Sequence, residues 1–167
     1  MKLTSLLLMF VCCAALVSAC SKSGNNQGGP GAAITPSPAT ISTADLEKLK
    51  WIEGTWRGTG GEVQKPFYER YHFENPSTLV MEELADENAT TASRTTRYEL
   101  KDFKFGSDRY VATALDEKSI TFSPLAAGRN SFRWQSDSTD AWTAILTLPA
   151  TSTTPAKETV YKMQRIK

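Results

Sequence analysis

From Thr55 to the C-terminus the chain is a succession of short runs in which apolar and polar residues alternate, each cut off by turn-forming residues. Tyr110, Ala112 and Ala114 alternate with Arg109, Val111 and Thr113, and Trp142, Ala144, Leu146 and Leu148 alternate with Thr143, Ile145 and Thr147. Successive strand residues point to opposite faces, so this period of two gives each run one face for a core. The runs are GTWRGTG, FYERYHFEN, STLVMEELA, SRTTRYELKDFKF, DRYVATALDE, SITFSPL, NSFRWQS, AWTAILTLP and ETVYKMQRI. Between them stand turn signals such as Glu74-Asn75-Pro76, Asp86-Glu87-Asn88, Gly106-Ser107-Asp108, Gly128-Arg129-Asn130 and Asp137-Ser138-Thr139-Asp140. Connections this short require antiparallel neighbours, because parallel pairing needs crossovers of about a dozen residues. The pattern predicts an all-β, antiparallel up-and-down barrel of about 8–10 strands, which removes its edges by closing; a sandwich is the other solution. One short helix precedes it. In STADLEKLKWIEG, Ser42 with Asp45 forms a capping pair, Leu46, Leu49 and Ile52 share a face, and Gly54 ends the helix.

The N-terminus has a different chemistry. All cysteines, Cys12, Cys13 and Cys20, fall in MKLTSLLLMFVCCAALVSAC, which has a lysine in front, an apolar run and small residues before the last cysteine. That is the layout of a secretory signal peptide, and the run is shorter than the roughly twenty apolar residues of a spanning helix. Val17-Ser18-Ala19-Cys20 resembles the lipobox of bacterial lipoproteins, whose cysteine thiol becomes lipid-linked. The resemblance implies cleavage after Ala19 and lipidation of Cys20, with several acyl chains giving a stable membrane anchor. Ser21, rather than Asp, follows the cysteine, which by similarity to lipoprotein sorting signals implies the outer membrane of a double-membrane envelope. The next stretch, SKSGNNQGGPGAAITPSPATI, is rich in Gly, Pro, Ser and Asn and cannot bury enough surface to offset its ordering entropy. As a tether it would hold a domain on the order of 25 Å from the membrane. The expected organisation is a signal peptide over 1–19, a lipidated linker over 20–43 and the barrel over 44–167. Every aromatic residue except Phe10 lies at or beyond Trp51, in that last segment.

With 19 Lys plus Arg against 18 Asp plus Glu, the chain lacks the basic excess of a nucleic-acid binder. Gly-x-Ser-x-Gly, His-Glu-x-x-His and the phosphate loop are absent, and the single histidine, His72, has no nucleophile or metal motif around it. Glu69, Glu82, Glu83 and Glu99 supply carboxylates, but Glu82 and Glu83 are adjacent in a strand and face opposite ways. No catalytic set, metal site or cofactor is expected.

Trp51-Ile52-Glu53-Gly54-Thr55-Trp56-Arg57-Gly58, after a helix and opening the first strand, resembles the Gly-x-Trp signature of calycins, the superfamily of lipocalins and fatty-acid-binding proteins. That resemblance implies that Gly54 and Trp56 close the barrel floor and that Arg165, in KMQRIK, packs across the tryptophan. LEKLKWIEGTWRG, FYERYHF, RYELKDF and RYVATAL are similar in order and spacing to an uncharacterised family of bacterial lipocalin-like domains. The His-Asp-Phe-Pro segment of that family is replaced by Phe132-Arg133-Trp134-Gln135, so nothing tied to its histidine carries over. The Gly-Thr-Trp-x-Gly pattern also looks like nitrobindins, but their C-terminal haem histidine has no counterpart beyond Tyr161 and Met163.

An eight-stranded interior is either filled by side chains or just holds one small ligand. The first expectation is therefore non-catalytic binding of a small apolar or amphiphilic ligand by a lipid-anchored envelope protein. FYERYHF puts Phe67, Glu69, Tyr71 and Phe73 on one face, an aromatic wall interrupted by a carboxylate. Glu69, Tyr71, Arg97 and Arg133 are the candidate ligand-binding residues. Alternation also allows Arg97 and Arg133 to face solvent while Tyr98, Phe132 and Trp134 fill the core. The competing expectation is an envelope interaction or inhibitor module with a filled barrel and an exposed apolar patch.

Overall fold

The computed structural model describes residues 37–61 and 63–167; Cys20, the signal segment and most of the linker lie outside them. Packing begins at Ala39, inside the stretch whose composition reads as tether. The Ala39 amide donates to the Ala112 carbonyl (2.9 Å), the Ile41 amide to the Phe103 carbonyl (2.8 Å), and Ile41 is buried.

The Ser42–Asp45 capping box forms in both directions: Ser42 Oγ accepts from the Asp45 amide (3.3 Å) and Asp45 Oδ2 from the Ser42 amide (2.9 Å). Only one α-turn follows, α1 (Thr43–Leu46), before the chain tightens into a 3-10 segment, Glu47–Ile52. The apolar spacing explains the tightening. Leu46, Leu49 and Ile52 recur every third residue, and a 3-10 helix, with three residues per turn, lines such a repeat along one edge. All three are buried against the barrel end.

The strands are β1 (Gly54–Gly60), β2 (Val63–Asn75), β3 (Thr78–Leu84), β4 (Ala92–Lys101), β5 (Lys104–Gly106), β6 (Tyr110–Leu115), β7 (Ser119–Pro124), β8 (Ser131–Ser138), β9 (Ala141–Leu148) and β10 (Lys157–Arg165). They pair in chain order, every pair antiparallel, and β1 closes on β10 from Trp56 opposite Arg165 to Gly60 opposite Tyr161. The predicted all-β up-and-down barrel is therefore the fold, and closure leaves no sandwich. One run was expected to be continuous and is not. SRTTRYELKDFKF divides into β4 and β5 because Asp102 and Phe103 both take positive φ (50° and 59°), the geometry of a tight two-residue hairpin. Phe is an uncommon residue there, so the turn carries no Gly or Asn signal.

The barrel closes at the end where the 3-10 segment crosses it, and Arg165 ties that end together. Its guanidinium lies 4.1 Å from the centre of the Trp56 ring. Nη1 donates to the Glu53 carbonyl (2.6 Å), Nη2 to the Trp51 carbonyl (3.2 Å) and Nε to the Thr139 carbonyl (3.1 Å). Trp56 Nε1 donates to the Ile52 carbonyl (2.7 Å), so the orphan carbonyls at the end of the helical segment are taken by side chains of the seam strands. Gly54 makes room. Its φ is +125°, and a Cβ there would stand 2.2 Å from Arg165 Nη1.

Two substitutions follow from this clamp. Arg165→Lys keeps the charge but loses the fork, and is expected to lower stability by about 2 kcal/mol in urea unfolding, since part-buried carbonyls lose their donors and the cation leaves the Trp56 ring. Gly54→Ala, strained in backbone and blocked by the guanidinium, is expected to cost about the same. Unchanged midpoints in both would show that the clamp contributes little.

Candidate functional site

Above the closed end the barrel encloses an open cavity of about 300 Å³. Strand β2 supplies one wall by strict alternation. Phe67, Glu69 and Tyr71 face in, whereas Arg70 and His72 face out, Arg70 bonding Glu82 (2.6 Å) and His72 lying 3.9 Å from the same carboxylate. Gly58 on β1 stands opposite Phe67, and the ring lies over it so closely that a Cβ would meet it at 2.1 Å. The other walls come from Met81 on β3, Tyr98 on β4, Trp134 on β8, Trp142 on β9, and Tyr161 and Met163 on β10.

The aromatic residues hold one another edge-on: Phe67 with Tyr161 (ring centres 5.6 Å apart), Tyr71 with Trp134 (5.5 Å), Tyr98 with Trp134 (5.3 Å) and Trp134 with Trp142 (5.9 Å). Such edge-to-face contacts satisfy the ring quadrupoles and add about 0.5–1.5 kcal/mol each beyond burial. Among the described residues, the indole N–H groups of Trp51 and Trp142 are buried without a hydrogen-bond partner.

Glu69 is the carboxylate of this lining. Its Oε2 accepts a hydrogen bond from the Tyr71 hydroxyl (2.7 Å), and its cross-strand neighbour on β3 is the part-exposed Glu83. Burial among the rings disfavours the charged form and pushes the Glu69 pKa up from 4.5 to about 7, with the Tyr71 hydrogen bond pulling the other way and the Glu83 charge adding to the rise. Burial likewise raises the Tyr71 phenol far above its ordinary range, with the Glu69 charge reinforcing it.

An acid with a raised folded pKa stabilises the fold fully only below its unfolded pKa, where both states are protonated. As pH climbs from about 4.5 to about 7 the unfolded state ionises first, so stability falls across that window and stays lower above it. The loss is on the order of 2 kcal/mol after allowing for screening by water in the open cavity. Glu69→Gln, which can still accept from Tyr71, is expected to remove this slope in melting temperatures recorded from pH 4.5 to 8. A variant with the wild-type slope would place the titrating group elsewhere.

The remaining sequence candidates lie outside the cavity. Arg97 is half exposed and forks onto Glu74 (3.2 and 3.3 Å), and exposed Arg133 donates to Ser119 Oγ (3.1 Å). The period of two decides this, because their neighbours Tyr98 and Trp134 take the inward positions. Glu69 and Tyr71 do come together in the cavity; Arg97 and Arg133 do not join them. Tyr98, Trp134, Trp142 and Met81 are wall residues that a search for charged anchors passes over. The signal for them was parity along each strand.

A larger depression of about 940 Å³ opens beside β4, where that strand pairs with β5 only over Glu99–Lys101 and β5 meets β6 only at Gly106 opposite Val111. Met81 and Tyr98 line both spaces. Of the side chains that ordinarily ligate haem iron, Tyr161 and Met163 face the cavity, as do Tyr71, Tyr98 and Met81, and His72 does not. Among the described residues no helix is long and apolar enough to cross a membrane, and no cluster of His, Cys, Asp and Glu is arranged to hold a metal.

No protein-family model matches the chain, and no curated protein matches it in sequence. Among solved structures the chain is similar to a redesigned β-barrel, at 16% identity and a TM-score of 0.38, over 72% of this chain and 96% of that one.

Proposed function

We propose that this protein is a lipid-anchored envelope carrier that binds a small apolar or amphiphilic molecule inside the barrel and does no chemistry on it. One observation carries the reading: the barrel interior is not filled. Its aromatic walls surround about 300 Å³, at the lower end of the range for small-ligand sites, with Glu69 and Tyr71 as the polar anchor. The large exposed apolar side chains support a carrier over a docking module. Among the described residues they are Phe103 in the β4–β5 turn, Leu125 beyond β7, Leu148 at the end of β9 and Val160 within β10, and Phe103 lies at the opposite strand end from Leu125 and Leu148, so the four do not build one patch. The envelope part of the proposal rests on Val17-Ser18-Ala19-Cys20 and the Gly/Pro/Ser/Asn-rich stretch behind it.

Two measurements test the proposal separately. The full chain, released from membranes in mild detergent, is expected to show in native mass spectrometry an added mass that disappears on denaturation. A bare mass, together with no binding of any apolar probe, would remove the carrier reading in favour of an interaction module. Cys20→Ala is expected to abolish acyl labelling and to leave an unprocessed precursor; labelling unchanged in that variant would refute the anchor.

A further inference from the structure

Resting on the carrier reading, we infer that the ligand is a small amphiphilic amine, its protonated nitrogen seated against Glu69 and its apolar body held among Tyr71, Tyr98 and Trp134. The geometry that points to a cation begins with the carboxylate itself. Oε2 of Glu69 is taken by the Tyr71 hydroxyl, and among the described residues Oε1 accepts no hydrogen bond from the protein. Glu69 belongs to the cavity lining, so that free edge is available to a donor in the cavity.

The surroundings supply no positive charge of their own to Glu69. On β2 Tyr71 hydrogen-bonds it; its register partners are Glu83 on β3 and the uncharged Trp56 on β1; Tyr98 and Tyr161 share its cavity, and Arg94 on β4 stands beyond Glu83. Arg94 is engaged by Glu83 (3.4 Å), and Arg70, next in sequence, points outward onto Glu82. The site therefore holds one carboxylate beside another, with the guanidinium of Arg94 on the far side of Glu83.

Three ligand chemistries meet this arrangement differently. A carboxylate ligand would bring a further negative charge beside Glu69 and Glu83. A neutral alcohol or hydrocarbon would strip water from Glu69 and return at most one neutral hydrogen bond. An alkylammonium returns a charge-assisted hydrogen bond to Oε1, and the negative ring faces of Tyr71, Tyr98 and Trp134 favour a cation near them. Only the amine completes the unfinished pairing.

Isothermal titration of the full chain with octylamine, 1-octanol and octanoate, matched in chain length and used below their micellar concentrations, separates the cases. At pH 8 octylamine is expected to bind at least about tenfold more tightly than 1-octanol, a difference of about 1.4 kcal/mol. Glu69 ionises at about pH 7, whereas an alkylamine stays protonated throughout, so the preference for octylamine is expected to shrink as pH falls to 6. Tyr71 and Tyr98, both raised by burial, do not titrate in that window. Glu69→Gln is expected to abolish the preference at both pH values, and Glu83→Gln is expected to keep the pH step. The pH series in the unaltered protein decides the matter even where a variant fails to fold. Equal or tighter binding of 1-octanol or octanoate at pH 8 overturns the amine assignment and leaves the carrier reading standing. Failure of all three probes to bind overturns both.

Discussion

The architecture depends on one cationic side chain laid across one aromatic ring at the seam where the sheet closes. A closed sheet has no edge, but its last strand must find its first across almost the whole chain. Arg165 and Trp56 are register partners at that junction, and the same guanidinium reaches back to the carbonyls of Trp51 and Glu53 that end the 3-10 segment. Closure and capping of the floor are thus one event. The helical segment is short and irregular, yet its position is specified, because its last carbonyls have nowhere else to find donors.

The closed floor makes the rest of the barrel interesting. Trp56, Trp142, Leu46, Leu49 and Ile52 fill the lower end densely, whereas the upper part keeps a space lined by Tyr71, Tyr98 and Trp134. Placing Glu69 there is unfavourable for the fold alone, since burial works against its charge at neutral pH. A leucine would pack at that position without this penalty. Polar groups that cost stability and line a cavity mark functional sites more often than structural ones. The Tyr71 hydroxyl offsets only part of the cost and leaves one carboxylate edge open.

Individual residues show how far the text of the chain reaches. The Ser42 and Asp45 cap, the inward line Phe67, Glu69 and Tyr71, and the outward turn of Glu82 beside Glu83 all follow from local spacing, since capping and alternation act between near neighbours. The break at Asp102 and Phe103 did not announce itself, because neither residue is a customary choice for positive φ in succession. The 3-10 winding was hidden for another reason: a three-residue repeat fits one face of an α-helix as well, and only packing against the barrel end selects between them. Arg97 and Arg133 invite a ligand-binding role by chemistry, while parity gives the inward places to Tyr98 and Trp134.

By itself the sequence determined the strand period, the antiparallel order and the face that each residue takes, because these are set by backbone geometry over a few residues. Only the tertiary structure decided that the interior keeps a cavity, that Glu69 and Glu83 lie side by side, and that Arg165 clasps Trp56. Each of those depends on side chains far apart in the chain meeting across a closed sheet, where volumes and charges add up in three dimensions. The distance from Glu53 to Arg165 along the chain carries no trace of the 2.6 Å between their atoms.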